Sequence, residues 1–203
     1  MSTQEQIKTV NPFQEVSAGM STEMPPRLVI YGRGKIGKTT FACDAPDPFL
    51  IDIENGAKYL AKKVRATPAI KAFAYHKGVS DAASDTIAIL RWLDAIYRKK
   101  GIKAIIVAHS TVKEIDLPGR DPFARYQLKL SKQLAAKTME WADILLHAEY
   151  DFHVSTEGKT SEPKAVLFTG GDMSYEGGGR IKLPKQIPIS YAELEKAIIG
   201  KSK

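Results

Sequence analysis

Eight residues near the start of the chain have the types and the spacing of a phosphate-binding loop. They are Gly32, Arg33, Gly34, Lys35, Ile36, Gly37, Lys38 and Thr39, with two glycines five apart followed by Lys and Thr. Small residues let backbone N–H groups form a concave anion site, Lys38 can reach the β- and γ-phosphates, and the Thr39 hydroxyl can bind Mg²⁺. We therefore expect residues 32–40, including Thr40, to bind ATP and Mg²⁺. The alternative is a chance glycine-rich turn.

The segments around this loop match what such a site requires. Arg27 to Tyr31 predicts a buried strand leading into the loop, and Thr39 to Cys43 begins a helix whose positive end would face the phosphates. Phe49 to Glu54 predicts a second buried strand with acids at its carboxyl end, where open α/β sheets bind ligands.

Composition narrows the class of protein. The 203 residues suffice for one domain with a good core, and the single cysteine, Cys43, excludes an intrachain disulfide or a cysteine metal cluster. No apolar run approaches the ~20 residues of a membrane span, so we expect no membrane association and a cytoplasmic location. The net charge of +7 fits either a polyanionic partner or a lysine-rich solvated surface.

Strand and helix patterns alternate along the chain. Residues 1–26 lack periodicity and predict a flexible N-terminal arm, and residues 27–200 predict one domain. Helices are expected at 57–63, 85–100, 128–141 and 191–199, and strands at 103–108, 143–150 and 164–169. Residues 69–75 fit either a short strand or an irregular segment, a loop is expected at 117–126, and the glycines at 170–171 and 177–179 are expected to be flexible. The fold class is therefore α/β, with a mostly parallel central sheet flanked by helices and a C-terminal β-hairpin region.

Several stretches together resemble one family. The runs at 32–41 and 49–56 resemble the RecA-like P-loop ATPases, and the runs at 105–110, 125–130, 141–143 and 180–184 narrow the resemblance to phage-encoded nucleotide-binding proteins of single-strand annealing and recombination. The resemblance covers residues 27–199. It implies a RecA-like ATP-binding core that acts on single-stranded DNA as a homo-oligomer, with phage replication or recombination proteins as partners, in the cytoplasm of a host cell.

The resemblance also assigns roles to single residues. Glu54 would orient the attacking water and act with Lys38 in catalysis, and His109 would sense the γ-phosphate. Arg180 would reach a nucleotide on the adjacent subunit as an arginine finger, although glycines replace the residues before it. The alternatives are that Asp52 and Glu54 only end a strand, and that His109 is an ordinary half-buried histidine.

The segment from Ser110 to Gln127 occupies the place of the DNA-binding loop in RecA-like proteins. Its cations and aromatic rings form the pattern that binds single strands through phosphate contacts and base stacking. The candidate DNA-binding residues are Lys113, Arg120, Phe123, Arg125 and Tyr126. The alternative is a solvated loop whose aromatic rings pack onto the body of the protein.

One expected feature is missing from the sequence. Between Glu54 and Ile105 there is no apolar strand ending in an Asp that would hold Mg²⁺. The metal would then depend on Thr39 and phosphate oxygens, assisted by Asp52, and ATP hydrolysis would be weak. Two alternatives remain open: a non-hydrolysing DNA-binding or annealing module with a remnant phosphate loop, and a nucleotide-dependent scaffold for a replication partner.

Overall fold

Helices separate groups of one to four strands along the described chain. The computed structural model describes residues 25–51, 60, 65–66, 79–151 and 162–200. The strands are β1 (Leu28–Gly32), β2 (Phe49–Leu50), β3 (Arg65–Ala66), β4 (Ile105–Ile115), β5 (Phe123–Leu128), β6 (Ile144–Asp151), β7 (Lys164–Phe168), β8 (Gly178–Gly179) and β9 (Gln186–Pro188). The helices are α1 (Lys38–Cys43), α2 (Val79–Lys100), α3 (Lys132–Trp141) and α4 (Tyr191–Ile199).

The main sheet has a parallel centre and antiparallel flanks. Its order is β5-β4-β1-β6-β7-β9, with β8 paired to β6. β1 runs parallel to both β4 and β6, whereas β5, β7 and β9 pair in the antiparallel sense. This mixed sheet, flanked by helices, confirms the predicted α/β fold class.

All five residues of β1 are buried because helices cover both faces of the sheet. On one face, Leu28 and Ile30 pack in a cluster with Phe41 of α1 and Leu194 of α4. On the other face, Val29 and Tyr31 pack in a cluster with Leu90 of α2 and Trp141 of α3. The strand before the phosphate loop therefore lies at the centre of the fold.

An ion-pair network fixes the amino end of β1. The Arg27 guanidinium donates to both oxygens of Asp143 at 3.0 Å and to Asp94 at 3.1 Å, and Trp141 Nε1 also donates to Asp94 at 2.8 Å. Burial alone would raise the pKa of Asp143, but the hydrogen bonds from Arg27 and Arg180 hold that pKa below its usual value. The network joins the starts of β1 and β6 to α2 and α3.

Several boundaries differ from the sequence-based predictions. α2 begins at Val79, earlier than predicted, and β4 continues past residue 108 to Ile115. The predicted loop at 117–126 is wrong at its carboxyl end, because Phe123 to Tyr126 form part of β5. The turn signals mark only the tip of a β4–β5 hairpin. Gly178 and Gly179, predicted to be flexible, form β8 against β6.

The predicted second buried strand is also wrong in its placement. β2 has two residues and pairs only with β3, outside the main sheet, and Phe49 is 60% exposed. Asp52 and Glu54, the segment at 69–75, most of the predicted helix at 57–63 and residues 1–24 of the predicted arm lie outside the described residues. Among the described helices, none is long and apolar enough to cross a membrane.

Candidate functional site

The phosphate loop begins at the carboxyl end of the three parallel strands. Gly32, the last residue of β1, pairs with His109 of β4 on one side and with Ala148 of β6 on the other. A Cβ atom on Gly32 would lie 2.1 Å from the carbonyl oxygen of Ala148, so only glycine fits here. The first glycine of the motif is therefore required by the packing of the sheet itself.

The backbone of the loop has the curvature of an anion site. Lys35 and Gly37 have positive φ angles of 63° and 100°, and Gly37 leads directly into α1. Between them Ile36 is only 4% exposed and is part of the core. Alternation of left- and right-handed backbone turns successive N–H groups to one concave side, which suits a phosphate. The loop is thus anchored at Ile36 and curved on both sides of it.

Lys38 lies inside the loop rather than in solvent. Its side chain is 5% exposed, and Nζ donates to the carbonyl oxygens of Gly32 at 3.0 Å and Arg33 at 2.6 Å. Thr39 is half-buried beside it, and Thr40 is exposed. A buried ammonium over a curved row of backbone amides can bind an anionic phosphate and fix its position.

Sequence reasoning missed Glu149 as a contact of the loop. Arg33 Nη1 lies 3.6 Å from Glu149 Oε1, and the Arg33 guanidinium lies 5.5 Å from the centre of the Tyr150 ring. Glu149 follows Ala148, the partner of Gly32, so the sheet register brings it beside the loop. Only the position of an acid at the end of an apolar strand could have indicated this contact.

His109 lies beside the loop, as its predicted role requires. A Cβ atom on Gly34 would lie 4.0 Å from His109 Cε1, and the His109 side chain is exposed. The strand predicted at 103–108 is too short, since β4 continues for six residues beyond His109. His109 therefore marks the level at which the hairpin leaves the main body of the sheet.

Of the remaining predicted catalytic residues, the structure describes Arg180, which does not lie at the loop. Asp52 and Glu54 lie outside the described residues. Arg180 lies at the opposite, amino end of β6, where Nη1 donates to Asp143 at 2.5 Å and to the Ala142 carbonyl at 3.0 Å. Within the described ranges, no group of three or more His, Cys, Asp and Glu residues could hold a metal ion.

The candidate DNA-binding residues divide between the two faces of the β4–β5 hairpin. Lys113 lies directly opposite Arg125, and Ile115 lies opposite Phe123. Because facing residues in an antiparallel pair project to the same side, Lys113, Phe123 and Arg125 share one face of the hairpin. Arg120 is exposed in the turn at the tip. Two cations therefore face each other across the strands, which is unfavourable without a bound anion.

Tyr126 lies on the other face of the hairpin, where it packs onto the body of the protein. Its ring lies 5.2 Å from that of His147, and its N–H donates to the Ser174 carbonyl at 2.7 Å. Tyr31 in turn donates to the Glu176 carbonyl at 2.5 Å. These contacts hold segment 174–176 against the end of the hairpin that joins the main sheet.

His147 is the unusual member of this aromatic group. It is 1% exposed, and its ring lies about 5 Å from the rings of Tyr31, Tyr126 and Tyr175. Neither ring nitrogen has a hydrogen-bond partner in the part of the chain that the structure describes. Burial lowers the pKa of His147 to about 4, so the ring is neutral at pH 7.

One comparison with known proteins agrees with this geometry. A family model described as an AAA domain matches residues 24–89, which include the whole phosphate loop but less than half of the chain. No curated protein matches the chain. The match, the sheet and the loop together support the class of P-loop ATPases, in which the phosphate loop binds a nucleotide.

Proposed function

We propose that this protein binds ATP with Mg²⁺ at the phosphate loop and acts on single-stranded DNA through the β4–β5 hairpin. The single observation behind this proposal is the buried Lys38, whose Nζ is held over the loop by the carbonyl oxygens of Gly32 and Arg33. The two neutral carbonyl oxygens accept hydrogen bonds from the buried ammonium but do not balance its charge, and a bound phosphate would supply the opposite charge.

The residues present fit the nucleotide. Gly34 leaves open space, since the nearest atom to an added Cβ would be His109 Cε1 at 4.0 Å. The backbone from Lys35 to Gly37 curves, and Lys38 supplies the cation. Thr39 would supply a hydroxyl to Mg²⁺, with Asp52 as a further ligand. The metal, once bound, neutralises negative charge on the phosphates.

Hydrolysis is the second part of the proposed activity, and its proposed base is Glu54. The main sheet, as described, places β5 beside β4 and receives neither β2 nor β3, so no described strand from residues 49–66 brings an acid to the loop. The sequence also lacks an apolar strand ending in Asp between Glu54 and Ile105. This feature of the sequence favours slow turnover and supports a non-hydrolysing module as the second candidate function. Glu54→Gln should retain nucleotide binding and lose the turnover that the wild type shows.

The hairpin is the proposed contact with single-stranded DNA. It extends six residues beyond His109, and its face with Lys113, Phe123 and Arg125 combines two opposed cations with an aromatic ring. A DNA phosphate between Lys113 and Arg125 would relieve their repulsion, and a base could stack on Phe123. Arg120 at the tip would add a further phosphate contact.

The assembly is part of the same proposal. Arg180 is more than half exposed, with 61% of its side chain accessible, although it contacts Asp143. In a homo-oligomer it would approach the nucleotide of the adjacent subunit, and the partners would be phage recombination or replication proteins. A scaffold that binds such a partner and no DNA is the competing possibility.

Two measurements test the proposal. We expect Lys38→Ala to abolish equilibrium binding of a fluorescent ATP analogue, whereas Lys132→Ala, which changes an exposed lysine on α3, should bind as the wild type does. ATP hydrolysis is then measured with and without single-stranded DNA. Unchanged binding by Lys38→Ala would remove the nucleotide site, and nucleotide binding without any turnover would favour the non-hydrolysing module.

A further inference from the structure

The outer face of helix α2 has a composition that neither the phosphate loop nor the hairpin explains. Six of its exposed side chains form three rows, which we call the α2 face: Ala88 and Ala95 in the middle, Arg91 and Arg98 on one side, and Trp92 and Lys99 on the other. Residues seven apart lie almost in line on a helix, so each row runs along the helix axis. The small central row leaves a shallow channel between two rows of long side chains.

The cations of the α2 face have no ion-pair partner among the described residues. In the described part of the chain, no ion pair involves Arg91, Arg98 or Lys99, and all three are exposed. Asp94 lines the same groove, but its carboxylate already accepts hydrogen bonds from Arg27 and Trp141. The groove is therefore strongly positive, and an anionic ligand would be attracted to it.

The tryptophan on this face is exposed to an unusual degree. Trp92 is 52% exposed and its neighbour one turn earlier, Ile89, is 54% exposed, whereas Trp141, the second tryptophan, is only 7% exposed. A large exposed aromatic ring beside cations is the arrangement on which nucleic-acid bases stack while phosphates meet the charges. An acidic protein segment would use the cations but would leave the ring without a planar partner.

The α2 face lies away from the nucleotide site. Asp94, on the same half of the helix, bonds Arg27, which precedes β1, and the phosphate loop follows the other end of that strand. The choice of DNA as the strand rests on the proposed function, in which the protein acts on single-stranded DNA.

We propose that the α2 face is a second binding surface for single-stranded DNA, separate from the β4–β5 hairpin. Arg91, Arg98 and Lys99 contact successive phosphates, and a base stacks on Trp92. This surface goes beyond the proposed function, because it depends neither on ATP nor on the hairpin.

Tryptophan fluorescence gives a direct test, because Trp92 is exposed and Trp141 is buried. Titration of the full-length protein with an oligothymidine should quench the Trp92 signal, and Trp92→Phe should lose that change while Trp141 continues to report the folded state. The quenching should persist in Lys113→Gln/Arg125→Gln, which impairs the hairpin alone. Failure of the hairpin proposal and failure of this one are thereby distinguished.

A charge-matched pair of variants completes the test. Arg91→Gln/Arg98→Gln/Lys99→Gln should weaken oligothymidine binding at least tenfold at about 0.1 M salt and reduce the salt slope by about 2, since three phosphate contacts are lost. Lys164→Gln/Lys182→Gln/Lys185→Gln removes the same charge from other exposed positions and should bind almost as the wild type does. Both should keep wild-type ATP-analogue binding.

Three results would overturn the proposal. They are equal losses in the two triple variants, absence of Trp92 quenching by oligothymidine, and stronger quenching by poly-glutamate or oligouridine than by oligothymidine. The last would assign the α2 face to an acidic protein or to RNA.

Discussion

A Cβ atom on Gly32 would lie 2.1 Å from the carbonyl oxygen of Ala148 on the neighbouring strand β6. The two residues are paired in the sheet, so neither backbone can move without disturbing the parallel centre. The phosphate loop is therefore joined to the core at its first residue, and the glycines of the motif are not equivalent.

This difference predicts a large loss of stability for one glycine variant and a small change for another. Gly32→Ala should lower the free energy of unfolding by about 3 kcal/mol, because the methyl group meets backbone rather than a side chain that can move. Gly34→Ala should change it by less than about 1 kcal/mol, since the nearest atom, His109 Cε1, is 4.0 Å away. Urea unfolding at pH 7 measures both. Equal effects of the two variants would contradict the close approach.

The ion-pair network at the amino end of β1 predicts a second stability effect. Asp143→Asn should lower the free energy of unfolding at pH 7 by about 2 kcal/mol, because the carboxylate accepts charge-assisted bonds from Arg27 and Arg180. Glu140→Gln, which breaks the exposed Lys137–Glu140 pair, should cost less than about 0.5 kcal/mol. The pKa of Asp143 is depressed in the folded protein. Its contribution to the free energy of unfolding is therefore complete above about pH 4 and is lost as the pH falls through the folded-state pKa.

His147 predicts a loss of stability in a different pH range. Its pKa is about 4 in the folded protein, lowered by burial, against a usual 6.5, so the unfolded chain binds the proton more readily. The free energy of unfolding is therefore highest above pH 6.5 and falls by up to about 3 kcal/mol as the pH drops toward 4. Glu149 and Asp172 oppose the shift in pKa, and Lys38 reinforces it.

The variant His147→Phe isolates this effect. It keeps a ring among Tyr31, Tyr126 and Tyr175 and removes two nitrogens that lack partners in the described structure. Its stability should be nearly constant between pH 7.5 and 5, where the wild type weakens, and should exceed the wild type at pH 5. Urea unfolding at both pH values is the measurement. A variant with the same pH dependence as the wild type would show that another group is responsible.

The sequence predicts the parts of the fold that depend on local pattern. The phosphate-loop motif and α4 at residues 191–199 follow from spacing, and both appear where expected. The role of Glu149 could not be predicted, because its contact with Arg33 depends on the register between β1 and β6. The β4–β5 hairpin could not be predicted from the sequence, because Pro118 and Gly119 indicate a loop and the strand pattern from Phe123 to Leu128 is short.

The two aromatic residues of β5 lie on opposite faces of the hairpin, so we expect their substitutions to have different effects. Phe123 faces the same side as Arg125 and Lys113, whereas Tyr126 packs against His147 and its backbone bonds segment 174–176. Phe123→Ala should weaken binding of single-stranded DNA roughly five- to a hundredfold, the range for losing one stacked base, with little loss of stability. Tyr126→Ala should instead lower the free energy of unfolding by about 3 kcal/mol, since a packed ring is removed from the aromatic group. Fluorescence anisotropy with labelled oligothymidine and urea unfolding, applied to both variants, separate the two effects. If Tyr126→Ala lost DNA affinity at unchanged stability, the ring would have to contact DNA directly, and the packing of Tyr126 on His147 could not be its main role.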